Sequence, residues 1–193
     1  MRKIVHITII LIFVSSAVIA ASGDVQLLKQ ARSQIKVIAG ELQLKVARAV
    51  QEKGAENALA SCRLQVTGIT DRLSLHSGWE IRRTSFKVRN LNNLPDPWEE
   101  DVLRLFEQRL AEGVAPESFE FAKVLNIDGQ RVFRYMKPII MQDFCTNCHG
   151  ETLSPALAMK ISEQYPEDQA VGFKPGELRG AFSMLKVLPG DPP

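Results

Sequence analysis

The sequence is short of several things, and each shortage narrows the reading. It holds three cysteines and three histidines in 193 residues. It has a single C-x-x-C pair, so a four-ligand zinc site would have to gather scattered partners. Beyond the first twenty or so positions no stretch is long and apolar enough to span a membrane. Net charge is nearly absent as well. The formal value is +2, and Arg2 and Lys3 account for it, so the remainder is balanced. That balance argues against nucleic acid as a partner, which would call for a basic patch. There is no internal repeat and no low-complexity tract.

What is present is concentrated in one stretch, Cys145-Thr146-Asn147-Cys148-His149-Gly150. It reads C-x-x-C-H, the spacing of a c-type haem attachment site. Two thiols three apart can each form a thioether to a haem vinyl group. The histidine after the second thiol is then held under the iron as an axial ligand. A bare C-x-x-C is weaker, because redox dithiols use it too. A thioredoxin-like dithiol, however, expects a βαβ unit around it, and here the motif sits late, after a strand-like run. The cofactor expected is one covalently bound haem c, with its iron.

The start of the chain fits that chemistry. Arg2 and Lys3 precede an apolar run from Ile4 to Ile19, and small residues follow at 18–22. Residues 1–22 read as a secretory signal peptide, or as an uncleaved anchor. Residues 23–193 then form a single domain of about 170 residues, enough for a real core. Its expected place is the periplasm or another exported compartment, where c-type haem is normally attached.

Val25 to Glu52 reads as one long helix, with Leu28, Ala31, Ile35, Ile38, Leu42, Val46 and Ala49 forming an apolar stripe. The stripe packs either on its own domain or against a second copy, since its spacing also fits a homodimeric coiled coil. Gly54 breaks it, and a second helix follows over roughly 55–64. Cys62 shares a face there with Ala55, Ala58 and Leu59. It is a buried thiol, a disulfide partner of Cys145 or Cys148, or a second axial ligand of the iron. His76, in a polar stretch that reads as a loop, and Met136, Met141, Met159 and Met184 compete for that role.

Trp79 to Val88 reads as a strand, and the loop to Pro97 is rich in donors. Arginine forks match carboxylates bidentately, so Arg82, Arg83, Lys87 and Arg89 are candidate partners for haem propionates. Asp96-Pro97-Trp98-Glu99 is a helix start with a capping box, and Gly113 ends that helix. Phe119–Leu125 and Gln130–Ile140, joined through Asp128-Gly129, read as a β-hairpin. Ser154-Pro155 opens another helix to about Tyr165, and Gly180 to Leu188 is a last strand. Helices flank a small, mostly antiparallel sheet, hence an α+β fold.

Three long stretches carry a family resemblance. They are Arg83-Thr84-Ser85-Phe86-Lys87-Val88-Arg89-Asn90-Leu91-Asn92-Asn93 with Pro95-Asp96 and Trp98-Glu99, then Phe133 to Ile139 before the C-x-x-C-H, then Gly176 to Ser183. Together they resemble the Tll-like haem domains, long known as a domain of unknown function, over roughly 25–188. The resemblance implies a PAS-like antiparallel sheet with helices around it and a long N-terminal helix. It implies His149 and Cys62 as the two axial ligands of the iron. Arg83, Arg89 and Asn90 become candidates for the propionates and for supporting contacts. The function it implies is a redox or small-ligand (gas) sensor, or a low-potential electron carrier, because a thiolate ligand stabilises ferric iron. The partner would be an unknown redox or signalling protein, and with no output domain in the sequence, signalling would need one. A peroxidase-type haem enzyme with an open distal site is the alternative, and it would require a distal acid–base group such as His76.

Overall fold

The structure is a computed structural model that describes residues 16–190, with side chains described at 23–59 and 68–190. The expected leader at 1–22 lies outside the described residues for its first fifteen positions. Among the described residues no helix is long and apolar enough to cross a membrane.

Helix α1 runs Ser16–Lys53. Gly54, at φ 74°, turns the chain into α2, Ala55–Ser77. The sequence had suggested that α2 would end near residue 64, with His76 in a loop. It runs thirteen residues further, and Gly78 closes it in the left-handed conformation. The reason is packing. Ile69 is fully buried and Leu73, one turn on, packs against the same core. That burial outweighs the weak helix propensity of Thr67, Gly68 and Thr70. His76 is therefore exposed on the last helical turn, with Nδ1 2.7 Å from the Arg72 carbonyl.

Four strands form one antiparallel sheet in the order β1-β4-β3-β2. They are β1 (Glu80–Thr84), β2 (Phe121–Ile127), β3 (Gln130–Ile140) and β4 (Leu178–Val187). β1 stops at Thr84, four residues short of the expected end. Asp128 and Gly129, both at positive φ (51° and 79°), make the two-residue turn between β2 and β3.

Alternation along the strands sorts the two faces. Ile81 and Arg83 on β1 stand opposite Met184 and Phe182 on β4, and Tyr135 on β3 also pairs Met184. This front face meets α1, whose Ala31, Ile35, Ile38 and Leu42 pack with Ile81, Phe133, Tyr135, Phe182 and Met184. Each large side chain so buried contributes about 1.5–3 kcal/mol. The stripe on α1 is thus used within its own domain, and a dimer through α1 would have to use exposed positions such as Val37 and Leu44.

The back face carries Met136 and Ala181 and meets α3, Pro97–Ala111, through Val102, Leu103 and Phe106. The capping box is formed: Asp96 Oδ1 accepts from the Glu99 amide at 2.8 Å, and Glu99 Oε2 accepts from the Asp96 amide at 3.0 Å. Glu99 is wholly buried. Arg134 reaches Asp96 at 2.7 Å and Glu99 at 3.3 Å, while Arg82 lies 3.8 Å from Glu99. Arg82 also donates to the carbonyls of Asn92 and Leu94. Arg82, a sequence candidate for the cofactor carboxylates, is engaged behind the sheet instead. Helices on both faces of a small antiparallel sheet give the α+β, PAS-like arrangement that the sequence implied.

Candidate cofactor site

The C-x-x-C-H stretch follows β3 directly. The Met141 amide donates to the Glu177 carbonyl and the Gly176 amide to that of Met141, both at 2.9 Å, tying the end of β3 to the approach to β4. A 3-10 turn at Asp143–Cys145 leads into the four-residue helix α4, Thr146–His149. Thr146 and Asn147 side chains donate back to the Asp143 and Phe144 carbonyls at 2.5 and 2.9 Å. Helical spacing of three puts Cys145 and Cys148 on one side of the turn. Both are free, half-buried thiols, so neither is joined to Cys62 in a disulfide. Burial pushes both thiols above their ordinary pKa.

Gly150 must be glycine. A Cβ there would stand 2.6 Å from the Thr146 carbonyl oxygen. The chain turns back at this point and pairs with the segment 168–173. Gly150 and Phe173 form a parallel bridge. Gly172 donates to the Gly150 carbonyl at 2.9 Å and Phe173 to that of His149 at 3.0 Å.

This segment also fixes the imidazole. His149 Nδ1 lies 2.7 Å from the Ala170 carbonyl oxygen. A carbonyl only accepts, so Nδ1 carries the proton and Nε2 keeps the lone pair. Burial, with Arg179, Arg89 and Arg83 nearby, holds His149 well below the usual histidine pKa. The ring is therefore neutral, the form that ligates a metal.

Arg89 holds the same segment. It grips Asp168 with Nε at 3.0 Å and Nη2 at 3.2 Å, and Nη2 also donates to the carbonyls of Cys148 (2.8 Å) and Ala170 (3.3 Å). The two side chains are only 12% and 7% exposed. Asp168 Oδ1 in turn accepts from the Ala170 amide at 3.0 Å. Arg89 thus spends its fork on Asp168 and the motif backbone. Asn90 is exposed and caps the short turn Leu91–Asn93 by accepting from the Asn92 amide at 3.0 Å. Lys87 donates to the Val171 carbonyl at 2.7 Å and lies over the Phe173 ring.

Cys145, Cys148 and His149 line a cavity of about 330 Å³, within the range of small-molecule sites. Its walls are mainly apolar: Leu42, Val46 and Val50 from α1, Ala58 and Leu59 from α2, Ile139 and Phe182 from the sheet. Arg83, Arg89, Asn90 and Arg179 also border it. Arg83 makes no hydrogen bond or ion pair with any described residue. Arg179 was not singled out from the sequence. Its Nη1 donates to Ser85 Oγ at 3.1 Å and to the Lys87 carbonyl at 3.0 Å, and its guanidinium lies 5.2 Å from the Phe173 ring centre. Burial, helped by Arg89 and Arg83, lowers it to about 10.

Cys62 stands on α2, but its side chain lies outside the described residues. Of the competing ligands, Met141 borders the cavity. Met136 is in the back core, Met184 in the front core, and Met159 is 61% exposed. His76 is not among the lining residues. Among the described residues no group of three or more His, Cys, Asp or Glu side chains converges to hold a bare metal ion.

A family model described as Tll0287-like matches residues 21–185. Among solved structures, the crystal structure of the cyanobacterial heme-protein Tll0287 superposes with a TM-score of 0.64. The two share 21% identity, and the match covers 85% of this chain and 95% of that one. No curated protein matches the chain.

Proposed function

Since the chain belongs to the Tll0287-like family, we propose that it is an exported, single-haem c-type protein that works by one-electron redox change at the iron, as a low-potential carrier or a redox or gas sensor. One observation carries the reading above the others. His149 is neutral, its Nδ1 is pinned to the Ala170 carbonyl, and its ring borders a cavity that both thiols of the C-x-x-C-H also border.

The residues fit the group. Cys145 and Cys148 would hold the haem through thioethers, and Nε2 of His149 would ligate its iron. Apolar walls from α1, α2 and the sheet would enclose the macrocycle and keep water from it. Ala170, Arg89 and Asp168 orient the imidazole through the second nitrogen, which sets ligand basicity. When bound, haem supplies a reversible one-electron couple, and the axial ligands set its potential. Cys62 is the proposed ligand on the other side. Its helix borders the cavity at Ala58 and Leu59, four and three positions earlier. A thiolate ligand there would favour the ferric state and lower the potential. The cavity brings no second histidine among the described residues, so no observation favours the peroxidase reading.

The test is spectroscopic. Protein exported with haem maturation should give the pyridine haemochrome of thioether-linked haem. Its ferric form should be low-spin with thiolate character, turning high-spin in Cys62→Ala. Matching spectra for the two would remove Cys62 as a ligand and turn attention to Met141 or an open site.

A further inference from the structure

Three guanidiniums, Arg83, Arg89 and Arg179, border the cavity, and among the described residues only one of them, Arg89, is ion-paired with a carboxylate. Asp168 is 7% exposed and is gripped by Arg89 from two nitrogens, so it is taken. Arg179 bonds only neutral acceptors, and through Nη1 alone, which leaves Nε and Nη2 uncommitted. Arg83 makes no hydrogen bond or salt bridge with any described residue; burial lowers its pKa, and only the neighbouring Tyr165 phenol, which carries no charge near neutral pH, favours its charged form. Arg83 stands on the front of β1 opposite Phe182, which lines the same cavity. Two unmatched positive charges against mainly apolar walls are unfavourable unless an anion completes them. Guanidinium forks suit carboxylates above other anions because both are planar and bidentate.

We propose that Arg83 and Arg179 receive the two carboxylates of the cofactor, and that Arg89 receives neither. This rests on the haem reading above, and haem carries two propionate groups, one for each spare fork. Arg89 is a positioning residue, acting on His149 through Asp168 and the Ala170 carbonyl. The sequence treats Arg83 and Arg89 as equals and passes over Arg179; the hydrogen bonds separate all three.

Covalent attachment makes the test clean, because losing an arginine does not release the haem. Pyridine haemochrome is read first; without a thioether signature the haem reading fails before this one is reached. In holoprotein, the propionate bending band of the resonance Raman spectrum should move in Arg83→Gln and in Arg179→Gln. It should stay in place in Arg89→Gln, where the iron–histidine band should move instead. All three substitutions remove a nearby positive charge and should lower the potential, so the Raman bands, not the potential, decide. Arg179→Lys and Arg89→Lys serve if the neutral variants do not fold, with the same bands expected to move. A propionate band unmoved in both Arg83 and Arg179 variants would overturn the assignment. So would a saturable shift of the wild-type potential by succinate or inorganic phosphate that Arg83→Gln abolishes, since the forks would then serve a free dianion.

Discussion

Behind the sheet, Arg82 and Arg134 share Asp96 and Glu99; around the cavity, Arg83, Arg89 and Arg179 have, among the described residues, one ion-paired carboxylate between them, Asp168, and Arg89 holds it. The strand alternation that sends Arg82 one way sends Arg83 the other. The back cluster is balanced in charge, although Glu99 Oε1 and Arg134 Nε make no hydrogen bond. Two cations meet two anions, Arg134 also stacks 4.1 Å from the Trp98 ring centre, and the same two acids cap α3. The front cluster is left open by two charges, and it lies beside two free thiols and an oriented imidazole. A balanced buried cluster holds a fold together. An unbalanced one facing a cavity is a place for something else to bind.

That contrast can be broken from the back first. Glu99→Ala leaves the buried guanidinium of Arg134 and the partly exposed one of Arg82 with one partly exposed carboxylate, bringing the back cluster closer to the front one with nothing to fill it. The expected loss is about 3–5 kcal/mol, read from urea unfolding. The double change Glu99→Leu, Arg134→Met should cost far less than Glu99→Ala, because it removes both signs together. If the single change costs under about 1 kcal/mol, charge balance is not what holds the back cluster together.

Next comes the join between the faces. Gly180, at φ 152°, lies against β1, and a Cβ would stand 2.3 Å from the Thr84 carbonyl oxygen. Gly180→Ala should cost about 3 kcal/mol through forced separation of β1 and β4. On the front, Arg89→Ala deprives Asp168 and the Cys148 carbonyl of their donor, and about 2 kcal/mol is expected. It should cost less than Glu99→Ala, since losing it also relieves the repulsion felt by Arg179.

The smallest effect is in acid. Burial pushes the Asp96 carboxyl up, but the Arg134 bond, the Glu99 amide and the charges of Arg134 and Arg82 outweigh it, so its pKa ends lowered. The unfolded chain then takes up the proton first. The contribution is complete above about pH 4 and is lost as pH falls through the lowered folded value. Asp96→Asn should flatten that acid limb of a stability profile while leaving the front cluster untouched.

Much of this was legible in residue order, for local reasons. The capping box at Asp96–Glu99, the Asp128-Gly129 turn, the stripe on α1 and the C-x-x-C-H are patterns whose partners lie within a few residues. The far end of α2 was not legible, because Ile69 and Leu73 hold it by meeting strands rather than by propensity. Arg82 and Arg83 looked alike until the register set them on opposite faces, although Ile81 in the core already hinted that Arg83 shares its side. The support of His149 was invisible. Arg89 and Asp168 lie 79 positions apart, and the acceptor for the imidazole is a backbone carbonyl, which any residue at 170 could offer. Arg179 sits in a stretch that was noticed for its resemblance, but nothing local marks it as facing the cavity.

The pairing of Gly150 with Phe173 has a consequence in time. A chain is made from its N-terminus, so Arg89 emerges 59 residues before Cys148, and Ala170 follows His149 by 21. Until that later stretch arrives, the two thiols and the imidazole hang on a short unsupported turn, accessible and free to rotate. If haem is attached as proposed above, the chemistry that must reach both sulfurs would have its opening then. Arrival of residues 168–173 closes the interval, so under the proposed haem reading a later part of the chain would act as the latch on an attachment made before it.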